Sequence, residues 1–137
     1  MSGKKIIIYT DGGARNNPGP AGAGFQILEG EKLLFEGKQF LGSQTNNWAE
    51  YEAVALALHD AKSRGLGGRE IEVRMDSKLA VEQILGHWKI KEPTLKPQVA
   101  KVRALLVDFP KHHFVHIPRE QNAEADRLVN EAIDEAM

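Results

Sequence analysis

The chain has 137 residues, 42% of them hydrophobic, which suits one well-filled core and is short for two, so residues 1–137 read as a single domain. Lys and Arg (18) nearly balance Asp and Glu (19), and the resulting net charge of −1 excludes bulk electrostatic coating of nucleic acid while leaving room for a local basic patch. The lack of cysteine excludes disulfides, thiolate metal sites and cysteine nucleophiles, and no apolar run reaches the length of a membrane span or a secretory signal, so a soluble, cytoplasmic protein with no membrane partner is expected.

Residues 4–11 form the first predicted strand, central because Ile6, Ile7, Ile8 and Tyr9 leave neither face polar. Residues 21–29 and 32–41 read as two further strands joined through Gly30, completing an antiparallel meander. The pattern turns helical from Thr45 to Arg64 and stops at Gly65. In residues 70–76, Ile71, Val73 and Met75 alternate with charged partners as in a strand, and a short helix over 77–86 follows. Residues 86–97, with two prolines, read as a loop; a helix then spans about Gln98 to Val107, and "HHFVHIP" is the last strand, ended by Pro118. Asn122 to Ala136 closes the chain as an amphipathic helix with Ala125, Leu128, Val129, Ala132 and Ile133 inward. This order predicts an α/β fold in which later strands join the meander through helical crossovers that cover the sheet.

Four acids stand at the ends of these elements. Asp11 closes the first strand, Glu50 opens the long helix, Asp76 follows the fourth strand and Asp126 lies one turn into the last helix. Asp11 and Asp76 share one rim of the sheet if their strands are adjacent and parallel, the rim where α/β proteins bind ligands. Glu50 is in line with Ala53, Val54, Ala57 and Ala61, and Asp126 with Ala123, Val129 and Ile133, so both point along buried stripes. Each acid also has a plain structural explanation. Asp76 or Ser77 can cap the next helix, Asn47 and Glu50 fit a capping box, Asp11 before Gly12 and Gly13 can form a turn, and Asp126 is one of many acids on its helix. Together the four favour chemistry, because carboxylates gathered in one place repel unless cations neutralise them. Such an oxygen-only set suits Mg²⁺ or Mn²⁺, and phosphodiester hydrolysis with two metal ions is the reaction it fits.

The segments "YTDGGARNNPGPAGAG", "TNNWAEYEAVALAL", "MDSKLAVEQI" and "PREQNAEADRLVN" resemble, in order and over nearly the whole chain, the four acidic motifs of the ribonuclease HI family, of the compact type without appended domains. The resemblance implies a ribonuclease H fold with a five-stranded mixed sheet, antiparallel in strands 1–3 and parallel in strands 4 and 5, with helices on both faces. It implies an endonuclease acting on the RNA strand of RNA/DNA hybrids, with Asp11, Glu50, Asp76 and Asp126 holding two Mg²⁺ ions. Gly12 and Gly13 would let backbone approach the sugar-phosphate chain and read 2′-hydroxyls. Asn16, Asn46, Asn47, Ser77, Lys78 and Asn122 match substrate-contacting positions, although turn formation and capping explain Asn17 and Asn47 equally well.

Two departures qualify the match. Many family members place a histidine in the loop before the last acidic motif; here His116 falls in the predicted strand and Arg119 in the loop, where it would assist electrostatically because a guanidinium cannot act as a general base. The long basic protrusion of some members is also missing. Trp88, Lys89, Lys91 and Lys96 stand in its place, either as a backbone-tracking patch or with Trp88 in the core. Rival readings are a non-catalytic hybrid- or duplex-RNA-binding module, which the full set of acids disfavours, and an aspartyl phosphatase, which would need a second aspartate where Gly13 stands. Cleavage of duplex RNA in addition is open, and a monomer is expected.

Overall fold

The computed structural model describes residues 4–137. Five strands and four helices follow the chain as β1 (Ile6–Ala14), β2 (Gly19–Glu29), β3 (Lys32–Gln44), α1 (Asn46–Ser63), β4 (Ile71–Met75), α2 (Lys78–Ile84), α3 (Lys96–Leu106), β5 (His112–His116) and α4 (Ala123–Ala136), with single 3-10 turns at Pro93–Leu95 and Arg119–Gln121. The sheet order is β3-β2-β1-β4-β5, antiparallel through β3, β2 and β1 and parallel from β1 to β4 and β5. The sheet therefore has the mixed pattern expected from the sequence.

Ile6, Ile7 and Ile8 are all buried because β1 lies in the middle of the sheet with helices above and below. Successive side chains of a strand point to opposite faces. A Cβ on Gly12 would strike Ala49 of α1, whereas a Cβ on Gly24, opposite Asp11 in β2, would strike Ala125 and Leu128 of α4, so α1 and α4 cover opposite faces. On the α1 side, Ile6, Ile8, Ile27, Ile71 and Val73 meet Val54 and Leu58 in one continuous core that extends to α2 and α3. On the other side, Ala125, Leu128, Val129, Ala132 and Ile133 of α4 are all buried, as their spacing predicts.

Several details differ from the sequence reading, and three of them have identifiable reasons. β1 does not end at Asp11 but continues to Ala14, because Gly12, Gly13 and Ala14 keep pairing with Ala23, Gly22 and Ala21. α1 is capped by Thr45, whose side chain accepts from the Trp48 N–H at 3.2 Å, so Asn47 and Glu50 do not form a capping box. α3 begins at Lys96, earlier than Gln98, because the 3-10 turn at Pro93–Leu95 leads straight into it and Pro97 is tolerated in a first turn.

Candidate active site

The site forms where two neighbouring strands part. β1 and β4 pair in parallel only from Ile6 with Ile71 to Tyr9 with Arg74, while β1 runs on beside β2. A cleft of about 360 Å³ opens at this carboxyl-terminal rim, and Asp11, Glu50, Asp76 and Asp126 all line it.

Each acid is positioned by a different element. Asp11 is held in β1 opposite Gly24, and Asp76 follows the last residue of β4. Glu50 lies in the first turns of α1, where its Oε1 accepts the Gly12 backbone N–H at 2.9 Å. Gly12 has no room for a side chain, since an added Cβ would lie 2.1 Å from the Ala49 carbonyl oxygen. The closeness of α1 to β1 thus brings the two carboxylates together. Asp11, Glu50 and Asp76 each offer an oxygen within 4.8 Å of the others, the one such acidic group found among the described residues. Asp126 lines the same cleft from the first turn of α4, outside this group of three, with Asn130 Nδ2 donating to its backbone oxygen at 3.0 Å.

Electrostatics set the chemistry of the cluster. Burial, with the charges of Asp76 and Asp126 added, pushes the Asp11 carboxyl up to about 7 against a partial lowering by hydrogen bonding with Glu50. Burial and the neighbouring Asp11 raise Glu50 well above the usual carboxylate range. Glu50 Oε2 is fully buried and has no hydrogen-bond partner. An orphaned carboxylate oxygen beside two further carboxylates, without imidazole or thiolate in the group, fits a hard divalent cation.

The other residues named from the sequence divide into groups. Gly13 lines the cleft with space at its Cα face, since its added Cβ would meet nothing closer than 3.8 Å, whereas Gly12 is a glycine because of α1 and not because of a substrate. Asn16 takes a positive φ of 65° in the exposed β1–β2 turn. Asn17 Oδ1 accepts the Asn46 N–H at 2.9 Å and Asn46 Oδ1 accepts the Ala14 N–H at 2.7 Å, so both tie that turn to the start of α1. Asn47 makes no such bond and faces both the cleft and a neighbouring groove of about 580 Å³, which Leu79, Trp88, Lys89 and Lys91 also line. Ser77 caps α2, accepting from Ala80 N–H at 3.2 Å, and borders the cleft as well. Trp88 is 45% exposed and is a surface ring, with Lys78 Nζ 6.0 Å from its centroid.

Asn122 departs from expectation. It is 1% exposed and cannot touch a substrate; its amide donates to the Thr10 carbonyl at 2.8 Å and to Asp76 Oδ2 at 3.3 Å, so it acts on the site by holding an acid. Arg119 lies in the 3-10 turn and lines the cleft, whereas His116 is the exposed last residue of β5 and does not. Sequence reasoning missed Arg15 and Asn130, which also line the cleft. Arg15 Nη1 pairs with Asp134 at 2.6 Å and Nη2 reaches Asn130 Oδ1 at 3.2 Å, joining the turn after the first acid to the helix that carries the last. A cation in a turn beside an acidic helix was the available signal.

Residues 9–132 match the family described as reverse transcriptase-like. The sequence is 44% identical over 134 residues to the bifunctional protein Rv2228c of Mycobacterium tuberculosis, covering 96% of this chain and 36% of that one. It is 39% identical over 135 residues to ribonuclease HI of Halobacterium salinarum, covering 98% of this chain and 67% of that one. Among solved structures, LC11-RNase H1, crystallised in complex with an RNA/DNA hybrid, superposes with a TM-score of 0.93 at 54% identity over 96% of this chain and 99% of the other. The chain thus spans little more than a third of the length of the mycobacterial relative.

Proposed function

This chain belongs to the ribonuclease H family, and from that premise we propose that it is a metal-dependent endoribonuclease that cuts the RNA strand of RNA/DNA hybrids as a cytoplasmic monomer. The observation that carries the reading is the Asp11–Glu50–Asp76 cluster, with its unpartnered Glu50 oxygen, in a cleft open to a polymer.

In this mechanism Asp11, Glu50 and Asp76 would hold the metal, with Asp126 completing the set from α4. Two Mg²⁺ ions, or Mn²⁺ in their place, would supply Lewis-acid activation of water and neutralise charge on the leaving 3′-oxygen, and hydrolysis of that P–O bond would leave 5′-phosphate and 3′-hydroxyl ends. Glu50 serves two purposes, fixing β1 through the Gly12 N–H and offering its second oxygen as a ligand. Asn122 keeps Asp76 turned toward the cleft. Arg119 brings a permanent positive charge to the phosphate, and it cannot remove a proton from water. Gly13 leaves room for a ribose to approach the backbone, where 2′-hydroxyls distinguish RNA from DNA. Trp88 and Lys89, with Asn47, extend the contact along the adjoining groove, the aromatic ring stacking and the lysine meeting phosphate.

Support for the substrate comes from LC11-RNase H1, which was crystallised with RNA/DNA hybrid. The test uses end-labelled RNA/DNA hybrid, duplex RNA, duplex DNA and single-stranded RNA, each with Mg²⁺ and with chelator. Metal-dependent cutting of the hybrid's RNA strand is the expected result, and cutting of duplex RNA as well would widen the substrate class. Binding of hybrid without cutting any substrate would make the chain a binding module and overturn the proposal.

A further inference from the structure

We propose that Gln83, a residue of α2 outside the acid cleft, is a positioning residue that fixes the substrate-facing loop at Lys89. The inference rests on the reading that this loop contacts the hybrid.

The loop leaves α2 at Gly86, which takes a φ of +84°, and its first amides return to the helix, with His87 N–H donating to the Glu82 carbonyl at 2.9 Å. Beyond Trp88 the backbone has little to hold it. Ile90 packs against the core, and Gln83 Nε2 donates to the Lys89 carbonyl at 2.9 Å, the one side-chain hydrogen bond to the backbone of residues 87–92 among the described residues. Lys89 bears this link and Trp88 precedes it, both exposed and both lining the groove that adjoins the acids.

The direction of the Gln83 amide is determined by chemistry. Its Oε1 accepts from the Tyr51 hydroxyl. The Lys89 carbonyl can only accept, so the amide NH₂ must face it, which leaves the amide oxygen to take the Tyr51 O–H. Tyr51 follows Glu50 directly in α1, so the chain Tyr51–Gln83–Lys89 sets the loop against the same helix that carries a catalytic acid. Arg103 of α3 holds the end of α2 in place, donating to the Gln83 carbonyl at 3.0 Å and to the Ile84 carbonyl at 3.3 Å. Gln83 is 4% exposed, and a buried amide with both ends engaged prefers one orientation.

Steady-state cleavage of hybrid by Gln83→Met tests the inference. Methionine nearly matches the shape and removes both hydrogen bonds, so KM should rise about three- to tenfold, the scale of one buried hydrogen bond, with kcat within about twofold. Lys89→Ala should then cost less in the Gln83→Met background than alone, because the lysine is no longer held in place. Tyr51→Phe removes only the donor and should raise KM in the same direction, which also covers the case in which Gln83→Met fails to fold. Unchanged KM in a folded variant, or strict additivity with Lys89→Ala, would overturn the role of Gln83. A wild-type protein that binds hybrid without cutting it is a different result, since it overturns the proposed activity and leaves Gln83 to be tested by hybrid affinity alone.

Discussion

Glu50 and Gly12 are joined by a 2.9 Å hydrogen bond from the Gly12 N–H to Glu50 Oε1, while the buried Glu50 Oε2 has no partner. One side chain thus joins α1 to β1 and contributes to the acidic cluster. Glu50→Gln separates the two functions, because its amide oxygen can still accept from Gly12 while its amide NH₂ is a poor ligand. The variant should fold, lose activity by a factor on the order of 100 or more, and lose most of the rise in melting temperature that Mg²⁺ gives the wild type. Thermal melts with and without Mg²⁺, beside hybrid cleavage, measure both effects; full activity in Glu50→Gln would remove Glu50 from the metal set.

The metal-free cluster should make stability depend on pH. Asp11 has a folded pKa of about 7 against an ordinary value of 3.8, so between those values the folded state binds more protons than the unfolded state. The corresponding stabilisation is complete below about 4 and is lost as the pH rises through 7. Asp11→Asn removes the repelling charge, so in chelator it should be more stable than wild type at pH 8, by about 1–3 kcal/mol, and nearly equal to it at pH 4. Denaturant melts at the two pH values would show the difference, and a gain that is larger at pH 4 would contradict the sign. Added Mg²⁺ should favour the wild type again at pH 8 by binding its carboxylates.

The sequence carried most of this arrangement. The Ile6–Tyr9 run marked a strand buried on both faces, and the acids at element ends pointed to one rim before any pairing was known. What escaped depends on contacts between distant segments. Gly12 and Gly13 look like turn residues in a linear reading, yet they lie in a paired strand; Gly12, like Gly22 and Gly24 of β2, has no room for a side chain because α1 and α4 press against these strands. Asn47 and Glu50 matched a capping pattern that the true cap, Thr45, lacks, because Trp48 occupies the position where a glutamate would answer it. Asn122 had the polarity of a substrate contact, and only its hydrogen bonds to the Thr10 carbonyl and Asp76, made where the chain enters α4, show that it is held inside.

Gly12 and Gly13 are adjacent, and alanine should affect them differently. At Gly12 the new methyl would overlap the Ala49 carbonyl, which is backbone and cannot swing aside, so α1 and Glu50 must shift. Gly12→Ala should cost about 2 kcal/mol or more in stability and also depress cleavage. Gly13→Ala meets nothing closer than 3.8 Å and should keep the wild-type melting temperature while raising KM for hybrid. Equal stability of the two variants would refute the assignment of Gly12 to helix packing.

Arg119 and His116 are three residues apart, and only Arg119 lines the acid cleft. Arg119→Ala should lower kcat about tenfold or more by removing a charge that stabilises the transition state. Arg119→Lys should recover part of the loss, since the charge matters more than the fork of donors. His116→Ala should stay within about twofold, as expected for an exposed strand residue. Kinetics of the three variants decide the ranking, and a larger loss at His116 would transfer the assisting role to the end of β5.

Asn122 supports the site without reaching the substrate. Its amide bridges the Thr10 carbonyl and Asp76 Oδ2, so Asn122→Ala leaves a buried backbone oxygen without its donor and frees the Asp76 carboxylate. The expected cost is about 1–3 kcal/mol of stability, read from denaturant melts. Cleavage should fall through kcat, while the affinity for hybrid measured in chelator stays at the wild-type value, because no contact with the nucleic acid has been removed. Asn122→Asp is the sharper variant. It preserves the shape, but a carboxylate cannot donate to Thr10 and it repels Asp76, so it should impair turnover more than alanine does. Weakened hybrid binding in chelator with kcat intact would return Asn122 to the substrate contacts, and that outcome would require the start of α4 to open when hybrid binds.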